Sequence, residues 1–80
     1  MMYTVYILKD DDGLLYKGYT NDIGRRLKEH LAGHTITTRK MKNPQLVYFE
    51  EYDSFNSARQ RELYFKSAAG RRFLKNKLPM

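Results

Sequence analysis

The chain has 80 residues, of which 41% are hydrophobic and 14% aromatic, a composition that excludes a disordered polymer. Its 15 Lys and Arg against nine Asp and Glu favour a polyanionic partner, nucleic acid before a membrane surface, with a merely solvated basic surface as the alternative. The absence of cysteine argues against a disulfide-stapled secreted domain and a thiolate zinc site, and no apolar run reaches the roughly 18 residues of a membrane span. Without a signal segment, we predict a single cytoplasmic domain over residues 1–80.

The first predicted element is a β-hairpin. Two β-branched and aromatic runs, at residues 3–8 and 14–19, flank an Asp-rich turn at residues 9–13. A turn centred near Asp11 places Tyr6 opposite Tyr16, so the two tyrosines are expected to share one face as a cross-strand pair. A simple aromatic ladder is the structural alternative.

A first helix is predicted after the hairpin. Thr20 or Asn21 is its expected N-cap, and Gly33 is the expected stop after Ala32. Because a helix advances by roughly 100° per residue, its buried stripe is expected to be apolar and to consist of Ile23, Leu27 and Leu31.

The charged residues of this helix are expected to point in two directions. Arg26 and His30 lie one turn apart along the edge of the apolar stripe, whereas Arg25, Lys28 and Glu29 are expected to point to solvent. Arg26 is thus predicted to face the sheet margin, unlike Arg25. Both residues also have a purely structural interpretation. Arg26 could pack its aliphatic stem on the core with its charged head in water, and His30 could be an interfacial histidine with satisfied hydrogen bonds.

A basic connector follows at residues 34–43, before Pro44. Arg39 and Lys40 in this connector are candidates for contacts with a phosphate backbone. The β-branched and aromatic run Gln45–Tyr52 is the predicted third strand.

A second helix is predicted to begin at an Asp53 or Ser54 cap, to run to about Ala69 and to break at Gly70. A short basic turn or helix, Arg71–Lys75, is then expected to close the chain before Pro79.

Glu62 is the least expected residue of this second helix. It lies in the middle of a predicted apolar face made of Phe55, Ala58, Phe65 and Ala69. A carboxylate that faces a core is costly unless it is paired, hydrogen-bonded or bound to a metal. An ion pair with Lys66, one turn further on, is the alternative, but it does not explain why the acid points inward. A functional role for Glu62 is therefore favoured.

These residues together resemble the GIY-YIG nuclease superfamily, in particular small members of the UPF0213 type related to the N-terminal nuclease domain of the excision-repair protein UvrC. The first family motif appears as Val5-Tyr6-Ile7, with Val in place of Gly, and the second as Tyr16-Lys17-Gly18, with Lys in place of Ile. Arg26, His30 and Glu62 complete the set, and Asn76 is the candidate for a terminal Asn that some members use.

The resemblance implies an α+β fold, a three-stranded antiparallel β-sheet flanked by helices in the order β-β-α-β-α-α, and metal-dependent cleavage of DNA. It implies that Glu62 binds the divalent cation, Mg²⁺ or Mn²⁺, and that Arg26 holds the phosphate. It further implies that Tyr6 and Tyr16 surround the attacking water and that His30 assists proton transfer. Either tyrosine is a candidate for the base. Elementary chemistry agrees, since Mg²⁺ suits one carboxylate completed by waters and a phosphate oxygen, and Arg suits a phosphate.

The predicted function is therefore an Mg²⁺-dependent DNA endonuclease of DNA repair or recombination, acting on branched or damaged DNA. The predicted DNA contacts are basic residues, namely Lys17, Arg25, Arg39, Lys40 and Lys66. One alternative is a nucleic-acid-binding module of the same fold with little or no cleavage activity, and another is a small basic protein that binds RNA or a protein partner. Because 80 residues leave little surface for target recognition, a protein partner that supplies it is also expected.

Overall fold

A computed structural model of the chain describes residues 1–33 and 39–78. Within these ranges three strands and three helices follow one another, β1 (Tyr3–Lys9), β2 (Leu15–Thr20), α1 (Ile23–Leu31), β3 (Gln45–Tyr52), α2 (Phe55–Lys66) and α3 (Ala68–Lys77). The predicted α+β fold with a three-stranded antiparallel sheet is confirmed. Residues 34–38 of the predicted connector, and Pro79, lie outside the described residues. No helix in the described part of the chain is long and apolar enough to cross a membrane.

The strand order is β2-β1-β3, so β1 is central and β2 forms one edge of the sheet. In the first hairpin Tyr6 lies opposite Gly18, and Tyr16 lies opposite Leu8. The predicted pairing of Tyr6 with Tyr16 is therefore wrong by two residues. A two-residue shift leaves every side chain on its original face, so the two tyrosines still share one side of the sheet.

The shift in register follows from the structure of the turn. The Asp10 carboxylate accepts hydrogen bonds from the backbone N–H groups of Asp12, at 3.0 Å, and Leu14, at 2.8 Å. These bonds close the loop around residue 12 rather than around Asp11. Aspartate often stabilises turns in this way, by bonding backbone groups a few residues further on.

Helices cover both faces of the sheet. Val5 and Ile7 of β1 point to one face and pack with Ala58, Phe65 and Leu74 of α2 and α3, all of them fully buried. The side chains between them on β1 point to the opposite face, because successive strand residues alternate. On that face the Tyr6 hydroxyl reaches His30 of α1.

The start of α1 and its buried side both differ from the prediction. Its N-cap is Asp22, not Thr20 or Asn21, and the Asp22 carboxylate accepts a hydrogen bond from the Arg25 N–H at 3.0 Å. Leu31, predicted to be buried, is 69% exposed, whereas His30 is only 2% exposed. The helix is thus turned so that His30, rather than the predicted leucine stripe, is its most buried residue, because the contact with Tyr6 lies on that side. Gly33 follows the helix with a φ of 77°, in agreement with its predicted role as the stop.

The predicted end of the second helix is also wrong. α2 begins at the Ser54 cap, as expected, but ends at Lys66, and Ser67 caps the start of α3 by accepting a hydrogen bond from the Gly70 N–H at 3.1 Å. A Cβ atom at Gly70 would lie 1.9 Å from the Tyr64 carbonyl oxygen. Gly70 therefore lies inside α3 and allows that helix to pack closely against the end of α2, instead of stopping a helix. The same break leaves Ala69 exposed, and Phe55 at the start of α2 is half-exposed.

Candidate active site

An open groove of about 780 Å³ runs along the free edge of the sheet. All six residues of β2 line it, with Tyr6 of β1 and five residues of α1 and α2, namely Arg25, Arg26, Glu29, Glu62 and Lys66. We call this depression the edge groove. It brings together four of the five predicted catalytic residues, and the fifth, His30, lies behind Tyr6.

The two walls of the edge groove come from opposite faces of the sheet. Tyr6 and Tyr16 lie on the face that α1 covers, and Arg26 extends from α1 on the same side. Glu62 comes from α2, which packs against the other face. The walls can meet because β2 is an edge strand, beyond which no further strand of the described residues separates them.

Gly18 provides the clearance between the two tyrosines. A Cβ atom at this position would lie 2.7 Å from the Tyr6 hydroxyl oxygen and 3.0 Å from Cε1 of Tyr16. Because glycine lacks that atom, the Tyr6 and Tyr16 rings approach to 6.1 Å between centroids. Any larger residue would displace the Tyr6 hydroxyl from its position.

Tyr6 and His30 form a hydrogen-bonded pair at the back of the groove. The Tyr6 hydroxyl lies 2.8 Å from Nε2 of His30. Burial raises the pKa of Tyr6 to about 12, although the nearby Arg26 acts in the opposite direction. Burial, assisted by the charge of Arg26, lowers the pKa of His30. At neutral pH both groups are therefore uncharged, and the arrangement suits a Tyr6 O–H that donates to His30 Nε2.

Arg26 is held between the tyrosines and an acid. Its Nη1 atom donates to Oε1 of Glu29 at 3.1 Å, and its side chain is 32% exposed. The neighbouring Tyr6 hydroxyl raises the pKa of Arg26 further above its already high ordinary value, so the guanidinium is a permanent cation. The prediction that Glu29 points to solvent is wrong, because Glu29 lines the groove and orients Arg26. The three-residue spacing of these two charges was the sequence signal for this contact.

Glu62 is buried, with a side chain only 4% exposed. Its Oε2 atom pairs with Lys66, the partner predicted as the structural alternative, and Arg59 Nη1 lies 3.5 Å from Oε1. That separation from Arg59 is not a hydrogen bond, and Oε1 accepts none from any residue that the structure describes. A buried carboxylate oxygen without a hydrogen-bond donor is costly, and a bound cation would offset that cost.

The predicted DNA-contact residues divide into two groups. Lys17, Arg25 and Lys66 line the edge groove. Arg39 and Lys40 are exposed and do not line it, and Arg39 Nε instead donates to the Gly33 carbonyl at 3.0 Å. Asn76 is exposed on α3, also outside the groove. With Arg26, the groove therefore has four basic side chains against two acidic ones, a balance that favours an anionic ligand.

Comparison with known proteins gives a consistent result. Residues 2–77 match the GIY-YIG catalytic domain. The chain is 44% identical over 64 residues to a UPF0213 protein of Haloquadratum walsbyi, covering 79% of this chain and 72% of that protein. It is 39% identical over 72 residues to a UPF0213 protein of Staphylococcus saprophyticus, covering 89% and 88%.

A solved structure supports the same assignment. The solution NMR structure of a UPF0213 protein from Bacillus halodurans superposes on this fold with a TM-score of 0.59. The two chains are 34% identical, and the match covers 95% of this chain and 84% of the other. The chain therefore belongs to the GIY-YIG family of nucleases, hydrolases that act on phosphodiester bonds.

Proposed function

We propose that this protein is an Mg²⁺- or Mn²⁺-dependent endonuclease that hydrolyses phosphodiester bonds in DNA. The observation that carries the proposal is the meeting of Tyr6, Tyr16, Arg26 and Glu62 in one open groove. These residues come from both faces of the sheet and are up to 56 positions apart in the chain. Packing requirements alone do not account for a buried carboxylate, a permanent cation and two phenols around one solvent-filled space.

Glu62 is the residue that would hold the divalent metal ion. The described residues contain no group of three or more His, Cys, Asp or Glu side chains placed to hold a metal ion, so the protein would supply a single carboxylate. Mg²⁺ accepts such a site because it retains several waters and takes further oxygens from a substrate phosphate. The Oε1 atom of Glu62, which accepts no hydrogen bond from any described residue, fits this role. When bound, the ion would stabilise negative charge on the phosphate and lower the pKa of a bound water.

Arg26 would bind and orient the phosphate that is cleaved. Its guanidinium carries several N–H donors in a fixed plane, which match two phosphate oxygens. Glu29 and the tyrosines hold it in place before the substrate arrives, so little reorganisation is needed as charge builds up in the transition state.

Tyr6, supported by His30, would receive the proton that the attacking water loses. Alone, a tyrosine with a pKa of about 12 is a weak acid and seldom ionised at neutral pH. The neutral His30, hydrogen-bonded to Tyr6, would accept the hydroxyl proton of Tyr6. Tyr6 would at the same time take up the proton that the water loses. Tyr16, which stacks edge-on against His30 with 4.8 Å between ring centroids, would position the water.

The shape of the groove favours substrates with accessible strands. It is open rather than enclosed, and it lies along a six-residue strand, which provides a short contact for recognition. Branched or damaged DNA, as found in repair and recombination, presents such strands. We further propose that a protein partner supplies the target recognition that this short contact lacks.

The test replaces the proposed metal ligand. Glu62→Gln removes the charge that binds the cation but retains the shape of the side chain, and Glu51→Gln is the control because Glu51 is exposed and does not line the groove. With supercoiled plasmid and branched DNA in Mg²⁺ or Mn²⁺, we expect Glu62→Gln to reduce the cleavage rate at least about 10²-fold, since a catalytic metal contributes several kcal/mol. DNA binding should persist, and the control and the wild-type protein should cleave equally. Unchanged cleavage by Glu62→Gln would exclude Glu62 as the ligand.

One observation favours a second function, a DNA-binding module that does not cleave. Lys66 and Arg59 both lie against Glu62, as they would around a purely structural carboxylate. On that hypothesis the wild-type protein binds DNA but cleaves neither substrate in Mg²⁺, Mn²⁺ or a chelator.

A further inference from the structure

The last helix is strongly basic and is not part of the edge groove. α3 (Ala68–Lys77) contains four basic residues and no acidic one. Arg71 and Lys75 are exposed and lie one turn apart on the same side of α3, about 6 Å along its axis at 1.5 Å per residue. Arg71 Nη2 donates to the Lys66 carbonyl at 3.3 Å, but α3 itself contains no acid that would neutralise this basic surface.

The structure connects these two residues to the edge groove. A shallow depression of about 240 Å³ lies between the first hairpin and α3, and Arg71 and Lys75 both line it. Leu15, at the start of β2, lines this depression and the edge groove alike. The two depressions therefore share Leu15 in their walls and lie next to each other at this residue.

Lys17 provides the charge where the two depressions adjoin. Lys17 lines the edge groove. Its pKa is lowered mainly by burial, and also by the positive charges of Arg71 and Lys66. Within the ranges 1–33 and 39–78, Lys17, Arg71 and Lys75 form no ion pair with a carboxylate, unlike Arg26, which pairs with Glu29. Like charges held together without an acid repel one another, and a bound anion relieves that repulsion.

We propose that Lys17, Arg71 and Lys75, which we call the basic strip, bind the phosphate backbone of the DNA duplex that flanks the bond in the edge groove. This proposal rests on the proposed function. Duplex DNA is the expected occupant because it is a continuous polyanion that can follow a path from one depression to the next, and because basic contacts to it release counterions. The strip would position the duplex without reading its sequence, as phosphate contacts do.

The test compares two double variants that lose the same charge. Arg71→Ala/Lys75→Ala removes the α3 part of the strip, and Arg72→Ala/Lys77→Ala removes two basic residues of the same helix that line neither depression. Binding of a fluorescently labelled DNA duplex is measured by anisotropy at several salt concentrations, in a chelator so that no cleavage occurs. Melting temperatures show whether both variants remain folded.

We expect the strip variant to raise Kd roughly tenfold or more. The slope of log K against log salt should become shallower by about two, because each of the two lost phosphate contacts contributes about 0.9 to that slope. The control should change Kd less than about threefold. Equal weakening by the two variants, or no weakening by either, overturns the strip. Because this measurement needs no cleavage, it is separate from the plasmid assay, so a protein that binds through the strip but never cleaves would refute the proposed endonuclease and leave the strip intact.

Discussion

At the scale of single residues, the structure holds two neighbouring arginines to different degrees. Arg25 and Arg26 are adjacent, but a rotation of about 100° separates their side chains around α1. Arg26 interacts with both tyrosines and with Glu29, whereas the exposed Arg25 guanidinium makes a long contact of 3.5 Å with Asn21. Both line the edge groove, so their positions alone do not distinguish them. Their difference lies in how firmly the surroundings hold each guanidinium.

This difference predicts distinct kinetic effects. Arg26→Ala should lower turnover at saturating DNA by about 10²- to 10³-fold, as removal of a preorganised group that stabilises transition-state charge commonly does. Arg25→Ala should instead raise the DNA concentration needed for half-maximal rate, by an amount that shrinks at high salt. The measurement is a rate profile against DNA concentration for both variants. Equal losses of turnover at saturation would show that Arg26 has no special role.

At the scale of elements, packing decides where helices end. The local sequence favoured one long second helix with a break at Gly70, but the chain turns three residues earlier, at Ser67. Gly70 then lies against the Tyr64 carbonyl and the Phe65 backbone, where no side chain fits. Gly24, in the first turn of α1, has the opposite surroundings, since the nearest atom to a Cβ there is an Asp22 carboxylate oxygen at 3.7 Å.

The same substitution should therefore have opposite effects at the two helical glycines. Gly24→Ala should raise the free energy of unfolding by about 0.5–1 kcal/mol, the difference in helix propensity. Gly70→Ala should lower it by about 3 kcal/mol or more, because the clash involves backbone atoms that cannot move aside. Urea unfolding followed by circular dichroism measures both changes. A stabilising Gly70→Ala would mean that α3 does not pack against α2 as described.

At the scale of the whole molecule, a partly buried charge cluster links the sheet to the helical layer. Glu50 of β3 accepts hydrogen bonds from Arg61 of α2 at 2.8 and 3.1 Å, and from the hydroxyls of Tyr48 and Tyr52. The Arg61 guanidinium also lies over three aromatic rings, those of Tyr64, Phe65 and Phe73. Burial acts to raise the pKa of Glu50, but the hydrogen bonds from Arg61 and the tyrosines outweigh it and lower that pKa to about 2.

The cluster predicts a specific loss of stability in acid. A carboxylate with a folded-state pKa of about 2, against 4.5 when unperturbed, stabilises the fold fully above pH 4.5, and this stabilisation is lost as the pH falls through 2. The contribution is about 3 kcal/mol at 1.36 kcal/mol per pKa unit. Carbon-detected NMR titration should place the pKa of Glu50 near 2, and urea unfolding should show stability decreasing over this window. Exposed Glu51 is the internal control, and Glu51→Gln should leave the pH dependence unchanged; a Glu50 that titrates near 4.5 would contradict the cluster.

Local chemistry determined a large part of this protein. β-Branched and aromatic runs predicted all three strands, and Gln45–Tyr52 has the predicted bounds. The helix period placed Arg26 and His30 on one side of the first helix and Glu62 on the apolar face of the second, and the resemblance to the family gave the three residues their predicted roles. These features are visible in sequence because strand and helix periodicities act over only a few residues.

Only the tertiary structure decided how these residues meet. The register of the first hairpin depends on the hydrogen bonds that backbone N–H groups donate to Asp10. The burial of His30 depends on its contact with the Tyr6 hydroxyl, and the end of α2 depends on the absence of a side chain at Gly70. Most decisively, Glu62 and the tyrosines line one groove because β2 lies at the edge of the sheet, where side chains from opposite faces can meet. Contacts between residues so distant in the chain depend on how whole elements pack, and no local pattern of residues specifies that packing.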